Sequence, residues 1–275
     1  MDYFPPGTAR KVTGGIAKFV VGQRKEGAPK AMKVLCADKA GIIRFVGGTS
    51  NDTVSGEAAL RFTEAVFSDG KLQPLALMSG GTRIVNDRLK VIPGILEMPG
   101  LAKLWNPDCV ALGSVPRTSA TMSYQGEHSS LMLSDIMNDS MLPNPTLDML
   151  WVVQYGVNDT SGWDGDVEVY LEFMDNMRQD AGLVPATICW NGGLVTAKEI
   201  RGALEYGFHC LLIEGSGRFT DAAIAFKRGK QVEDAQFRTI LGKWHDSGVE
   251  LNFDIIRHDD PNQVKQWLTA HGLRR

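Results

Sequence analysis

One motif constrains this chain above all others: a short apolar run that stops at a glycine or small polar residue, repeated along most of its length. The runs at 41–46, 74–78 and 109–112 end at Gly47-Gly48, Ser79-Gly80-Gly81-Thr82 and Gly113-Ser114. Those at 149–153, 186–190 and 210–213 end at Gln154-Tyr155-Gly156, Asn191-Gly192-Gly193 and Glu214-Gly215-Ser216-Gly217-Arg218. Nearly continuous apolar runs of this length suit strands buried on both faces, as in a parallel sheet covered by helices. Six in series predict a Rossmann-like, doubly wound, mostly parallel α/β domain over residues 40–275, preceded by an extension over 1–39.

Amphipathic stripes supply the connecting helices. Residues 166–182 place Val167, Tyr170, Leu171, Met174 and Met177 on one face. Thr196 and Glu199 fit an S/T-x-x-E capping box opening a helix with Ile200 and Leu204 inward. Phe237, Ile240, Leu241 and Trp244 make another stripe, and Asp260-Pro261 starts a last helix with Val264, Trp267 and Leu268 inward. A further strand is expected at 249–256 and one at 17–21, with a loop at 23–30. Residues 115–148, rich in Ser, Thr, Asn and Met, read as an insertion or cover at the sheet's carboxyl edge.

Composition removes several classes of function. Lys and Arg number 29 against 32 Asp and Glu, a net charge of -3, so no global basic field holds nucleic acid. Cys36, Cys109, Cys189 and Cys210 form no C-x-x-C pair, which predicts free thiols in a cytoplasmic protein without a zinc site. No apolar stretch approaches the roughly 18 residues of a membrane span, and the first residues lack the order of a signal peptide.

In an open parallel sheet, ligands bind beyond the carboxyl ends of the strands, where glycine turns expose backbone N–H groups. A single Gly-Gly pair is ordinary turn chemistry. Gly47-Gly48, Ser79-Gly80-Gly81-Thr82-Arg83, Asn191-Gly192-Gly193 and Glu214-Gly215-Ser216-Gly217-Arg218 together along one edge point to a phosphate-bearing small molecule. Arg83 and Arg218 would pair the phosphate. Arg218, directly after a Gly-Ser-Gly turn, has little packing reason to be there; Asp221 either caps the next helix or orients Arg218. Glu199 is explained by its capping box, or serves beside the phosphate as a ribose contact or acid/base. The dinucleotide fingerprint fails at Thr220, where its third glycine belongs, and the NTPase loop is absent. The five histidines show no ligand spacing, and His209 reads as a partly buried core residue in preference to a base.

At these residues a family resemblance enters. The segment from Asn191-Gly192-Gly193 through Thr196 to Glu199 resembles the P-G-G-x-G-T-x-x-E signature of the LOG nucleotide phosphoribohydrolases, with Asn191 for the proline and Val195 for the middle glycine. Gly215-Ser216-Gly217-Arg218 with Asp221, downstream of Gly80-Gly81-Thr82 and Asn191-Gly192-Gly193, resembles the SLOG domain of melastatin-type TRP channels and its prokaryotic relatives. Trp163-Asp164-Gly165-Asp166 is similar to a degraded W-G-x-E stretch of that family. After Thr82 the family's next glycine is missing, and its upstream arginine pair has only isolated Arg117 as a counterpart.

The resemblance implies a sensor of an NAD- or ADP-ribose-like nucleotide in bacterial stress or defence signalling, a homo-oligomer acting on a separate effector protein, with no required cofactor or metal. Two alternatives stay open: a nucleotide N-glycosidase with Glu199 as acid/base, and an interaction domain that has lost its ligand.

Overall fold

A computed structural model describes residues 9–10, 18–23, 30–48, 53–84, 91–116, 120–125, 128–133, 141–144, 146–154 and 162–275. The chain runs through β1 (Ala9–Arg10), β2 (Lys18–Gln23), α1 (Lys30–Cys36), β3 (Gly41–Gly47), α2 (Thr53–Phe67), β4 (Leu75–Gly80) and β5 (Thr82–Ile84). Next come α3 (Met98–Trp105), β6 (Val110–Pro116), β7 (Ala120–Gln125), β8 (His128–Leu133), β9 (Met141–Pro143) and β10 (Met149–Gln154). The last part alternates more regularly. It holds α4 (Val167–Ala181), β11 (Val184–Trp190), α5 (Leu194–Glu205), β12 (His209–Glu214), α6 (Arg218–Lys227), α7 (Ala235–Asp246), β13 (Asp254–Arg257) and α8 (Pro261–Ala270).

All six apolar runs are strands of one sheet, ordered β1-β2-β10-β6-β4-β3-β11-β12-β13. Every adjacent pair in it is parallel except β1 with β2. The chain steps outward from β3 through β4, β6 and β10, then returns to pair β11 against the other side of β3. The order reverses between β3 and β11, which is where open α/β sheets leave a crevice for a ligand.

Period-2 alternation splits β3 between two cores. Ile43 and Phe45 pack with α2, α3 and α8 through Phe62, Ala102 and Leu268, while Ile42 joins Tyr170, Met174 and Met177 of α4. Burying each such side chain contributes about 1.5–3 kcal/mol, and truncating a central one such as Leu77 to alanine costs about 2–5 kcal/mol. Met32 and Cys36 of α1 join the α4 core.

The helix termini follow their sequence signals where side chains can reach. Asp260 accepts from the Gln263 amide at 3.1 Å ahead of Pro261, and Gly182 ends α4 in the left-handed conformation (φ 69°). Two expectations need correction. The strand expected at 249–256 is only β13, because Val249 N–H donates to the Trp244 carbonyl and Asn252 N–H to that of Glu250. Those local bonds remove the backbone groups a longer ladder needs. The expected capping box is also misplaced: α5 is capped by Gly193, whose N–H donates to the Thr196 hydroxyl at 3.3 Å, and Glu199 points into the protein.

The strand expected at 17–21 is β2, paired to β10; the loop beyond Gln23 lies outside the described residues up to Lys30. Within 115–148, β7 and β8 form an antiparallel pair and β9 pairs with β5.

Candidate functional site

The crevice at the point of reversal is built from the turns after β3, β11 and β12. Docking of α6 onto the β11 turn sets its geometry: the amides of Phe219 and Thr220 donate to the carbonyls of Gly192 and Asn191, and the Thr220 hydroxyl donates to Asn191 at 2.6 Å. The Asn191 amide in turn donates to the buried Ser216 hydroxyl at 2.9 Å. Among the described residues, Asn191 (φ 62°) and Arg218 (φ 45°) are the non-glycine residues held at positive φ. Such conformations cost about 1–3 kcal/mol and cluster where structure serves function.

That strained backbone carries the Arg218 side chain across the mouth of the crevice. Methyl groups added at Gly48 and Gly193 would lie 3.4 Å from its Nη1 and 3.1 Å from its Nη2. Its guanidinium therefore spans the β3 and β11 turns, in ordinary contact distance of Gly48 and more closely against Gly193. Among the described residues no carboxylate forms an ion pair with Arg218. The amino end of α5 begins at the same Gly193, which adds the positive end of a helix dipole to that of the arginine.

Other expected contributors are committed elsewhere. Asp221 accepts from the amides of Gly215 (2.8 Å) and Gly217 (3.0 Å), so its carboxylate occupies the nest expected to hold phosphate. Glu214 pairs with Arg228, which holds its carboxyl below the usual range. Gly81 is a packing glycine: a methyl group there would lie 1.9 Å from Leu150 Cδ1, and one at Gly80 2.9 Å from Leu96. Ser79 and Thr82 are buried, and Gly47 lies against the Trp190 carbonyl. Arg83 is in β5, but its side chain, like all of Arg117, lies outside the described residues. The structure thus unites Gly48, Gly192, Gly193, Gly217 and Arg218, while the space beside Gly80 and Gly81, on the same sheet edge, is filled by Leu96 and Leu150.

One cluster was missed by the sequence reading. Arg44, in the middle of β3, is 3% exposed; its Nη1 donates to the Ser79 carbonyl (2.6 Å) and Ser114 hydroxyl (3.2 Å), its Nη2 to Glu199 Oε1 (3.2 Å). Tyr170 donates its hydroxyl to the same Glu199 oxygen at 2.8 Å, and its ring lies 3.8 Å beneath the guanidinium. The Ser114 hydroxyl donates to Asp166. Burial pushes the carboxyls of Glu199 and Asp166 up, and Arg44 pulls both back without cancelling it. Burial pulls the Arg44 guanidinium down, but Tyr170, Glu199 and Asp166 outweigh it. The available signal was a lone charge inside an otherwise apolar strand.

Among the described residues no three His, Cys, Asp or Glu side chains stand close enough to hold a metal ion, and no helix is long and apolar enough to cross a membrane. No protein-family model and no curated protein matches the chain. Similar solved structures include TM1055, at 15% identity and a TM-score of 0.39, covering 82% of this chain and 99% of that one. The Moco carrier protein from Chlamydomonas reinhardtii is similar at 15% identity and 0.39, over 84% of this chain and 99% of its own. A second structure of that molybdenum cofactor carrier protein gives 13% and 0.41 over the same shares.

Proposed function

We propose that this protein binds a phosphate-bearing, nucleotide-derived small molecule in the crevice between β3 and β11. The observation that carries this is the Arg218 guanidinium, spanning Gly48 and Gly193 on a strained backbone without an ion-pair partner among the described residues. A guanidinium so placed is a bidentate partner for phosphate. The phosphate meets Arg218 and the amino end of α5, since Asp221 already fills the Gly215–Gly217 nest. The SLOG resemblance adds an NAD- or ADP-ribose-like ligand, and a homo-oligomer passing occupancy to an effector through differential affinity for two states.

A second reading, hydrolysis of a nucleotide N-glycosidic bond, is favoured by the raised carboxyl of Glu199, which suits a general acid. Against it, Glu199 Oε1 already accepts from both Arg44 and Tyr170, and the residue is 5% exposed. Calorimetric titration with AMP, NAD and ADP-ribose, followed by chromatography of the mixtures, separates the two. Binding without product supports a sensor and release of a free base supports the hydrolase. The absence of both overturns the assignment of a ligand site here.

A further inference from the structure

Asn191 (φ 62°) and Arg218 (φ 45°) sit on different turns, one directly after β11 and the other at the start of α6. Neither is glycine, so each conformation persists only where its surroundings fix it. The bonds that do so run between the two turns. The Ser216 hydroxyl accepts from the Asn191 amide at 2.9 Å, and the Thr220 hydroxyl donates to the Asn191 carbonyl at 2.6 Å. Two hydroxyls thus hold both peptide groups of one strained residue, and they stand two positions before and two after Arg218.

Ser216 is 5% exposed and Thr220 0%, and a low local dielectric strengthens a hydrogen bond. The Thr220 amide reaches the same carbonyl at 3.3 Å and the Phe219 amide reaches that of Gly192 at 3.2 Å, so the hydroxyl makes the shortest contact of the three. Thr220 also occupies the place of the third glycine in a dinucleotide fingerprint, where a bare backbone serves close packing of helix on strand. Here a hydroxyl at that place ties α6 to the neighbouring β11 turn. Asn191 leads through Gly192 to Gly193, which caps α5 and lies against the Arg218 guanidinium. The two hydroxyls therefore set the spacing between the arginine and the amino end of α5.

We propose that Ser216 and Thr220 are the positioning residues of the phosphate site, holding Arg218 beside Gly193 without meeting the ligand themselves. A binding group works at full strength only when the hydrogen bonds behind it lock its backbone and rotamer. This rests on the phosphate site proposed above.

The test titrates AMP into wild type, Thr220→Val, Thr220→Ser, Arg218→Ala and the double variant Thr220→Val/Arg218→Ala, with urea unfolding of each. Valine keeps the shape of threonine and removes the hydroxyl. Thr220→Val should weaken AMP about five- to ten-fold, the scale of one buried hydrogen bond, and Thr220→Ser should restore it. In the Arg218→Ala background the valine should change affinity by less than about two-fold, because the group it positions is gone. Ser216→Ala, alone and with Arg218→Ala, repeats the comparison from the other end of the turn and decides it if the valine variant is unfolded. A hydroxyl that only stabilises α6 would lower unfolding stability and leave the AMP affinity of the folded protein unchanged. That result, or a loss of affinity equal with and without Arg218, overturns the positioning role while the phosphate site stands. If wild type does not bind AMP, or Arg218→Ala binds as wild type does, the phosphate site fails and takes this inference with it.

Discussion

Arg44 and Glu199 meet at 3.2 Å between the central sheet and α5, joining positions 155 residues apart. Removing one member of a buried ion pair leaves an uncompensated charge and costs about 3–5 kcal/mol. Glu199→Ala should therefore lose about that much stability in urea unfolding. Glu199→Gln should lose less, because its amide oxygen still accepts from Tyr170. A Glu199→Ala protein within about 0.5 kcal/mol of wild type would show that the pair is solvated.

The position of Arg44 also shows what a sequence displays and what it hides. The six strands were legible because a short apolar run ending in glycine fits a buried strand and its turn far better than a helix. Gly48, Gly192, Gly193 and Arg218 were legible because turns after adjacent parallel strands must share an edge. Gly81 follows its strand in the same way, yet Leu150 fills the space beside it, and glycine serves close packing as readily as anion binding. The Gly215–Gly217 turn has the composition of an open anion cradle, but Asp221 closes it. Arg44 was hidden because Tyr170, Asp166 and Glu199 reach it only through the tertiary fold.

Asp221 satisfies two amides of the Gly215–Gly217 turn at the start of α6. Asp221→Ala should cost about 0.5–2 kcal/mol, the range for lost helix-capping side chains, seen as a lower thermal midpoint. Asp221→Asn should recover part of it, because its amide oxygen still accepts. An unchanged midpoint in the alanine variant would mean the turn is held by other contacts.

Asp166 gives stability a pH dependence of defined sign. Burial raises its carboxyl, with Arg44 and Ser114 only partly opposing. From the unfolded aspartate value of about 3.9 upward through its raised value, the folded protein binds more protons than the unfolded chain. The contribution of Asp166 to stability is thus fully present at lower pH and declines as pH rises through that window. Urea unfolding of wild type and Asp166→Asn at pH 4–7 should give a stability difference, wild type minus variant, that falls with rising pH. A difference that grows with pH contradicts the burial of this group.

Cys36, Cys109, Cys189 and Cys210 are free and buried. Burial pushes the thiol of Cys36 up to about 12 and raises those of Cys109 and Cys189 as well. Burial keeps all four from a reagent, so a thiol reagent at pH 8 should label none of them within minutes, and all of them in denaturant. Rapid native labelling of Cys189 would displace β11 from the centre of the sheet.

The phosphate site rests most directly on Arg218. Charge-assisted hydrogen bonds contribute about 1.5–3 kcal/mol, so Arg218→Ala should weaken ADP-ribose or AMP binding about ten- to a hundred-fold. Stability should hold within about 0.5 kcal/mol, because the side chain removed is exposed and alanine bears the same Cβ cost at φ 45°. Arg218→Lys should restore affinity only in part, since it keeps the charge and loses the planar fork. The deciding measurement is calorimetric titration of ADP-ribose into wild type and a folded Arg218→Ala protein. A ten-fold or greater loss is the expected result; equal affinity in the two proteins would contradict a phosphate site between Gly48 and Gly193.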